Sequence, residues 1–207
     1  MARYLEPKCR VCRRLGAKLY LKASRCLSDK CALNRRKSVP GERQRMGKLT
    51  PYAIQLKEKQ KLRNMYGLLE RQFHIFFDRA SRKKGVTGDN LLIMLEARLD
   101  NVAFRLCFAS SRAMARQLVL HGHLQVNGKK VDIPSYQVKI GDVVSVKEKS
   151  RQIKSINDTL GGAASQNLPA WLTLDVDKYE GKVERYPNRD EITIPVNEQA
   201  VVELYSK

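Results

Sequence analysis

The chain has 207 residues, 43% of them hydrophobic, and 40 Lys and Arg against 21 Asp and Glu leave a net charge of +19. That much apolar content excludes a disordered basic tail, and so positive a folded surface calls for a polyanionic partner. No apolar run approaches the roughly 18 to 20 residues a membrane span needs, and the opening Met1-Ala2-Arg3-Tyr4-Leu5 lacks the apolar stretch of a secretory signal.

The expected compartment is therefore the cytoplasm, where structural disulfides are rare. The charge is unevenly placed. Residues 1–50 carry 15 basic against 3 acidic residues, whereas 151–207 carry 7 against 9. A polyanion is expected on the N-terminal and middle parts, leaving the acidic C-terminal part to solvent, packing or a basic protein neighbour.

Residues 1–50 read as a basic N-terminal arm ending in a linker over 37–50, where Pro40, Gly41 and Gly47 interrupt any periodicity. Its basic residues Arg3, Arg10, Arg13, Arg14, Lys22, Arg25, Arg35, Arg36, Arg43 and Arg45 are candidates for the polyanion. The arm also holds Cys9-x2-Cys12 and Cys26-x4-Cys31. Two close thiol pairs separated by a loop suit the tetrahedral corners of structural zinc, whose binding energy would fold a segment too short for its own core. Two disulfides, an iron–sulfur cluster or four free thiols would use the same residues. Four thiolates would leave no open position for catalysis.

Residues 51–97 read as a helical domain, which 190–207 complete. Thr50-Pro51 looks like a cap followed by proline in the first turn, opening a helix that stops at Gly67. Lys59, Lys61 and Arg63 lie on it as further polyanion candidates. Leu69, Phe73, Phe76, Phe77 and Ala80 then recur at helical spacing, and Lys83-Lys84-Gly85 supplies a basic end. Thr87 opens a third pattern, a single helix whose stripe is Leu92, Leu95, Leu99, Val102 and Leu106. Cys107 beside it reads as a small buried hydrophobe. His74 reads as a packing residue and Trp171 as core or interface.

Residues 98–160 read as a helix–hairpin domain. Ser111 precedes a short helix closed by Gly122, on which Arg112 and Arg116 are expected four apart on an outer face. Leu124-Gln125-Val126 alternates as a strand, Asn127-Gly128 is a two-residue hairpin turn, and Val131-Asp132-Ile133 returns. Val138 to Val146, interrupted by Gly141-Asp142, supplies further strands and 150–160 another helix. The helix N-terminus, His121, His123 and the hairpin lysines Lys129 and Lys130 would line one basic surface matched to an RNA backbone, or an ordinary solvated face. Residues 161–189 read as a loop over 161–169 and a late hairpin from Trp171–Val176 and Lys182–Tyr186. Asn197 caps a final helix. No internal repeat, glycine-rich phosphate loop or nucleophile–base pair is visible.

Ser111-Arg112, Ala115-Arg116-Gln117-Leu118-Val119, His121-Gly122, Val126-Asn127-Gly128, Val131 and Gly141-Asp142 together resemble the RNA-binding domain named after small-subunit ribosomal protein four. The likeness extends to Ala2-Arg3-Tyr4, the four cysteines, Lys57 to Arg63, Tyr66-Gly67, Glu70 to Phe73, Lys84-Gly85, Glu96-x-Arg98-Leu99-Asp100-Asn101 and Pro195 to Gln199. It spans nearly the whole chain, so the chain resembles the bacterial-type family of that protein, in its zinc-carrying branch. The fold class expected is α+β: a zinc-stapled arm, a mostly helical domain, and a small helix–hairpin RNA-binding domain with an antiparallel sheet.

The resemblance implies a structural, non-enzymatic component of the small ribosomal subunit that binds the 5′ domain of its ribosomal RNA, nucleates assembly and contributes to translational accuracy. It implies contacts with small-subunit ribosomal protein five, other subunit proteins and messenger RNA near the entry channel, with no membrane and no small-molecule substrate. It also implies that Ser111, Arg112, Arg116, Gln117, His121, His123, Lys129 and Lys130 meet RNA, with Lys83, Lys84 and the basic residues named above, and that structural Zn2+ is the one cofactor.

Two rival readings share parts of this pattern. Pseudouridine synthases and some aminoacyl-tRNA synthetases carry the helix–hairpin module, and Arg98-Leu99-Asp100 resembles the short catalytic motif of the former. Here those residues are expected inside an amphipathic helix, with no length left for a catalytic domain. A zinc-dependent DNA-binding regulator would account for thiols and charge but not for the module.

Overall fold

A computed structural model describes residues 4–36, 38–41, 48–162 and 168–206. The chain divides into two compact units, Met1–Leu91 with Ile194–Lys207, and Leu92–Thr193. No described helix is long and apolar enough to cross a membrane.

The first unit contains helices α1 (Lys8–Leu15), α2 (Ala32–Arg35), α3 (Pro51–Met65), α4 (Glu70–Ser81) and α9 (Glu198–Tyr205), with a 3-10 turn at Ala23–Cys26. The Thr50 hydroxyl accepts the Ala53 N–H at 3.2 Å and Pro51 occupies the first turn of α3, where its missing N–H costs nothing. Gly67, at φ +66°, turns the chain out of that helix. The apolar face of α4 buries Phe73, Phe76, Phe77 and Ala80. Against it lies Tyr205 of α9, stacked on Phe77 at a centroid distance of 4.5 Å, and α9 also packs along α3. Asn197 caps α9 by accepting the Ala200 N–H.

The second unit is a mixed layer of helices on a five-stranded antiparallel sheet. Its strands are β1 (Leu124–Val126), β2 (Lys129–Lys130), β3 (Val143–Val146), β4 (Leu172–Asp175) and β5 (Glu180–Val183), in the order β2-β1-β3-β5-β4. Helices α6 (Leu99–Arg105), α7 (Arg112–Leu120) and α8 (Lys154–Gly161) complete it. Leu99, Val102, Leu106, Phe108, Val119, Leu124, Val144, Ile156 and Trp171 meet in one core.

The pattern from Thr87 to Leu106 is not one helix. It forms α5 (Thr87–Glu96) and α6, separated at Ala97 and Arg98. The segment before β3 takes the backbone groups that would have continued the turn. Val138 N–H donates to Ala97 O, and Leu99 N–H donates to Tyr136 O, each at 2.8 Å. Apolar spacing survives the break because both helices bury their apolar residues, Leu92 and Leu95 on α5 and Leu99, Val102 and Leu106 on α6, so periodicity alone missed it.

Three strand and helix boundaries also shift. The return arm of the hairpin is Lys129–Lys130, paired with Val126 and Gln125, rather than Val131–Ile133. Only Val143–Val146 of the stretch from Val138 is strand, because Gly141 at φ +86° turns the chain just before it. A 3-10 turn at Glu148–Ser150 precedes α8 where one helix from 150 was expected. The late hairpin forms and its β5 pairs with β3, which joins it to the sheet. Most of the predicted 161–169 loop, and residues 37 and 42–47 of the predicted linker, lie outside the described residues.

Candidate nucleic-acid interface

The α7–hairpin region of the second unit carries both a surface and a buried ionic network. Ser111 caps α7 by accepting the Met114 N–H at 3.3 Å. At the far end the backbone turns through Gly122 (φ +71°) into β1, and Asn127-Gly128 turn it back with both residues at positive φ. The Asn127 side chain fixes that turn, donating to Asp142 at 2.8 Å and accepting the Val143 N–H at 2.9 Å. Gln117, His121, Lys129 and Lys130 are exposed on this region. Lys130 lies across Gly122 so closely that a Cβ there would meet its Cε at 2.3 Å. Glycine at 122 thus gives both the left-handed turn and the room for a lysine stem.

His123 is half-buried and shares a 2.9 Å hydrogen bond with Ser150 Oγ. Its pKa lies below the ordinary histidine value, chiefly through burial and then through the neighbouring His121 and Lys147.

Arg116 is not on an outer face. It is 8% exposed and donates to Asp100 Oδ2 at 3.2 Å, while Arg98 holds the same carboxylate with Nε at 3.1 Å and Nη2 at 2.6 Å. Arg112, four residues earlier, is half-buried. Its Nε donates to Asn101 Oδ1 at 2.7 Å, and its guanidinium lies 4.8 Å from the centre of the Phe104 ring. Asn101 in turn donates to the backbone and carboxylate oxygens of Glu96, which Arg105 also grips with two hydrogen bonds. This chain of buried charges joins α6 to α7. Arg98-Leu99-Asp100 therefore lies at the start of α6, not inside a continuous helix, and its carboxylate is committed to two guanidinium groups. No substrate reaches a carboxylate held that way.

In the first unit, three of α3's basic residues are also paired. Lys59 bonds Glu70 at 2.5 Å, Arg63 bonds the other Glu70 oxygen at 3.2 Å, and Lys61 bonds Glu58 at 2.5 Å. With these cations beside it, the Glu70 carboxyl sits below its ordinary pKa despite burial, and the Tyr205 hydroxyl that donates to it is pushed well up. Lys83 and Lys84 are exposed after α4, as are Arg10, Arg14, Lys22, Arg25, Arg35 and Arg36 on the arm. Arg13 instead bonds the Ser38 carbonyl at 3.0 Å. Arg3, Arg43 and Arg45 lie outside the described residues. His74 is exposed, is hydrogen-bonded to Asp78 at 3.0 Å and packs edge-on against the Tyr205 ring at 5.3 Å.

None of the four arm thiols forms a disulfide; Cys12, Cys26 and Cys31 are buried and Cys9 is half-buried. Burial raises the Cys12 pKa and the other three thiols add to that rise, so each of them lies within electrostatic reach of Cys12. The Lys22 N–H donates to Cys26 Sγ at 3.3 Å. Among the described residues no group of three His, Cys, Asp or Glu side chains stands in place to grip a metal ion.

Sequence reasoning missed the network around Asp100 and Glu96. The signal was present: two acidic residues interrupt the apolar stripe of α5 and α6, and buried acids require partners.

Comparison with known proteins divides the chain near the junction of α5 and α6. The model of the ribosomal protein S4/S9 N-terminal domain matches residues 3–96, and that of the S4 domain matches 97–144. The small ribosomal subunit protein uS4 of Citrifermentans bemidjiense is 55% identical to this chain over 208 aligned positions, covering all of both chains. Those of Pelobacter propionicus and Thermoanaerobacter pseudethanolicus are each 56% identical over the same complete span.

Proposed function

Because the chain belongs to the uS4 family of small ribosomal subunit proteins, we propose that it is a structural component of that subunit, acts in the cytoplasm, and binds ribosomal RNA through both units. It is not an enzyme: its relatives are structural ribosomal proteins, and its one motif of catalytic appearance is a buried ion cluster. The end-to-end likeness at 55% identity carries this reading, and the exposed basic residues of the hairpin and the arm supply its chemistry.

Mechanistically, structured RNA is recognised mainly by shape, backbone and 2′-hydroxyls, which suits cations fixed on a rigid scaffold. Asp100 and Glu96 neutralise and fix the inner arginines. Lys129, Lys130, Gln117 and His121 remain at the surface for RNA. The RNA region we assign is the 5′ domain, where binding nucleates assembly and contributes to accuracy. Small-subunit protein five and messenger RNA near the entry channel are the neighbours we assign. The acidic C-terminal part suits the protein contact.

Structural zinc on Cys9, Cys12, Cys26 and Cys31 belongs to the same proposal. Three buried thiols and a half-buried fourth, with Cys12 acted on by the other three and Cys26 accepting a backbone N–H, support it. Bound there, zinc would staple the segment between α1 and α2. Metal analysis of the purified chain should give one zinc per chain; a metal-free chain that keeps its arm folded would refute the staple.

For the main reading, the full chain is titrated with a 5′-domain ribosomal RNA fragment and with duplex DNA at equal salt. RNA should bind more tightly. Equal affinities would leave only a non-specific polycation.

A further inference from the structure

We propose that a cleft between α1 and α3 of the first unit receives one unstacked nucleotide of the RNA, its phosphate on arginines and its base on a mixed aromatic and aliphatic wall. This rests on the RNA-binding reading above. The cleft measures about 540 Å³, within the roughly 300 to 1,000 Å³ of small-ligand sites. Arg10 and Arg14, one turn apart on α1, line one side; Leu56, Gln60 and Arg63, at helical spacing on α3, line the other. Tyr4 borders it.

Three features select a nucleotide over other anions. First, Arg10, Arg14 and Arg63 outnumber the one acid lining the cleft, Glu6, which is already bonded by the Tyr4 hydroxyl at 3.2 Å. Arg10 and Arg14 both act electrostatically on that hydroxyl, so their charge converges there. Second, Arg63 Nε is buried without a hydrogen-bond partner, although Nη1 of the same group holds Glu70. A buried N–H left unmade is costly, and a turn of the guanidinium toward the cleft would let an entering anion oxygen satisfy it. Third, a bare phosphate has no use for a space this large or for the Tyr4 and Leu56 walls. A base does, because aromatic rings and guanidinium planes stack on unpaired bases. The Gln60 amide offers a donor and an acceptor beside them. Duplex RNA keeps its bases stacked inside and could not enter, so the nucleotide comes from a loop, bulge or junction.

The test uses the full chain and a 5′-domain ribosomal RNA fragment, with affinity, salt slope and nucleotide-by-nucleotide chemical reactivity as readouts. Gln60→Trp fills the cleft without changing charge. It should weaken binding about tenfold, the loss of one stacked base, while the log–log salt slope changes by no more than about 0.9, the share of one phosphate. One nucleotide protected by the wild-type chain should become reactive. Arg14→Gln, which needs no repacking, should expose the same nucleotide, and it decides the matter if circular dichroism shows Gln60→Trp unfolded. Wild-type affinity and protections in the folded variants would overturn the cleft, as would weakening spread over the whole footprint. A wild-type chain that does not bind the fragment overturns the ribosomal reading and the cleft with it.

Discussion

The Asp100 cluster predicts an order of stabilities that separates a structural role for Arg116 from a role in touching RNA. Asp100 is 4% exposed and accepts three guanidinium hydrogen bonds, two from Arg98 and one from Arg116. Asp100→Ala takes the carboxylate from two buried cations at once. Removing one partner of a buried ion pair costs about 3–5 kcal/mol, because the remaining charge stays buried without it. Arg116→Met removes one charged hydrogen bond, worth about 1.5–3 kcal/mol. It leaves Asp100 its bidentate Arg98 and puts an apolar chain of similar length in the core, so the net loss should be about 1–2 kcal/mol. The sole tryptophan, Trp171, is 2% exposed in the same core and reports its unfolding by fluorescence. Denaturant titrations should rank wild type above Arg116→Met and that above Asp100→Ala. Affinity for the 5′-domain fragment at fixed salt should follow the folded fraction. The reasoning fails if Arg116→Met keeps wild-type stability and loses RNA affinity, since Arg116 would then face the RNA.

Three further outcomes are expected. Lys129 and Lys130 are exposed at the hairpin, so changing both to Gln should leave the Trp171 transition in place and lower the salt slope of RNA binding by about 1.4–1.8; an unchanged slope would remove the hairpin from the interface. Gly181→Ala would bring a Cβ within 2.3 Å of Leu106 Cδ2, and Leu106 is fully buried, so overpacking should cost about 1–3 kcal/mol in the same fluorescence titration. His123 is depressed below its ordinary value of about 6.5, so the unfolded chain takes up its proton first as pH falls. Its contribution is present above that value and lost below it. Denaturation midpoints of the second unit should therefore drop as pH falls through about 6.5, and less so in His123→Gln; the same drop in both proteins would exonerate His123.

Local chemistry was legible wherever a residue acts on its own neighbours. Thr50-Pro51, Ser111 and Asn197 act within three residues of themselves and Asn127-Gly128 turn the chain through their own backbone angles, and each fixed a cap or turn that the structure contains. Long-range pairing was not legible. The break between α5 and α6 is made by Tyr136 and Val138, some forty residues beyond it, which a window of apolar spacing does not sense. The return strand moved two residues toward the turn because a tight two-residue loop must pair its flanking residues first.

The arginines failed for a related reason. Spacing states which residues share a helix face but not whether that face meets solvent. The i, i+4 pair Arg112 and Arg116 projects toward α6, where Asn101 and Asp100 wait sixteen and fewer residues away in sequence. Formal charge alone favoured water. Asp100 reversed that preference, since a buried carboxylate needs a cation more than a surface cation needs RNA. Counting net charge therefore overstates the RNA face of the second unit, where Arg98, Arg105 and Arg116 are spent on Asp100 and Glu96. What remains for RNA there is the exposed rim from Gln117 to Lys130, a smaller and more specific surface than the +19 of the whole chain implies.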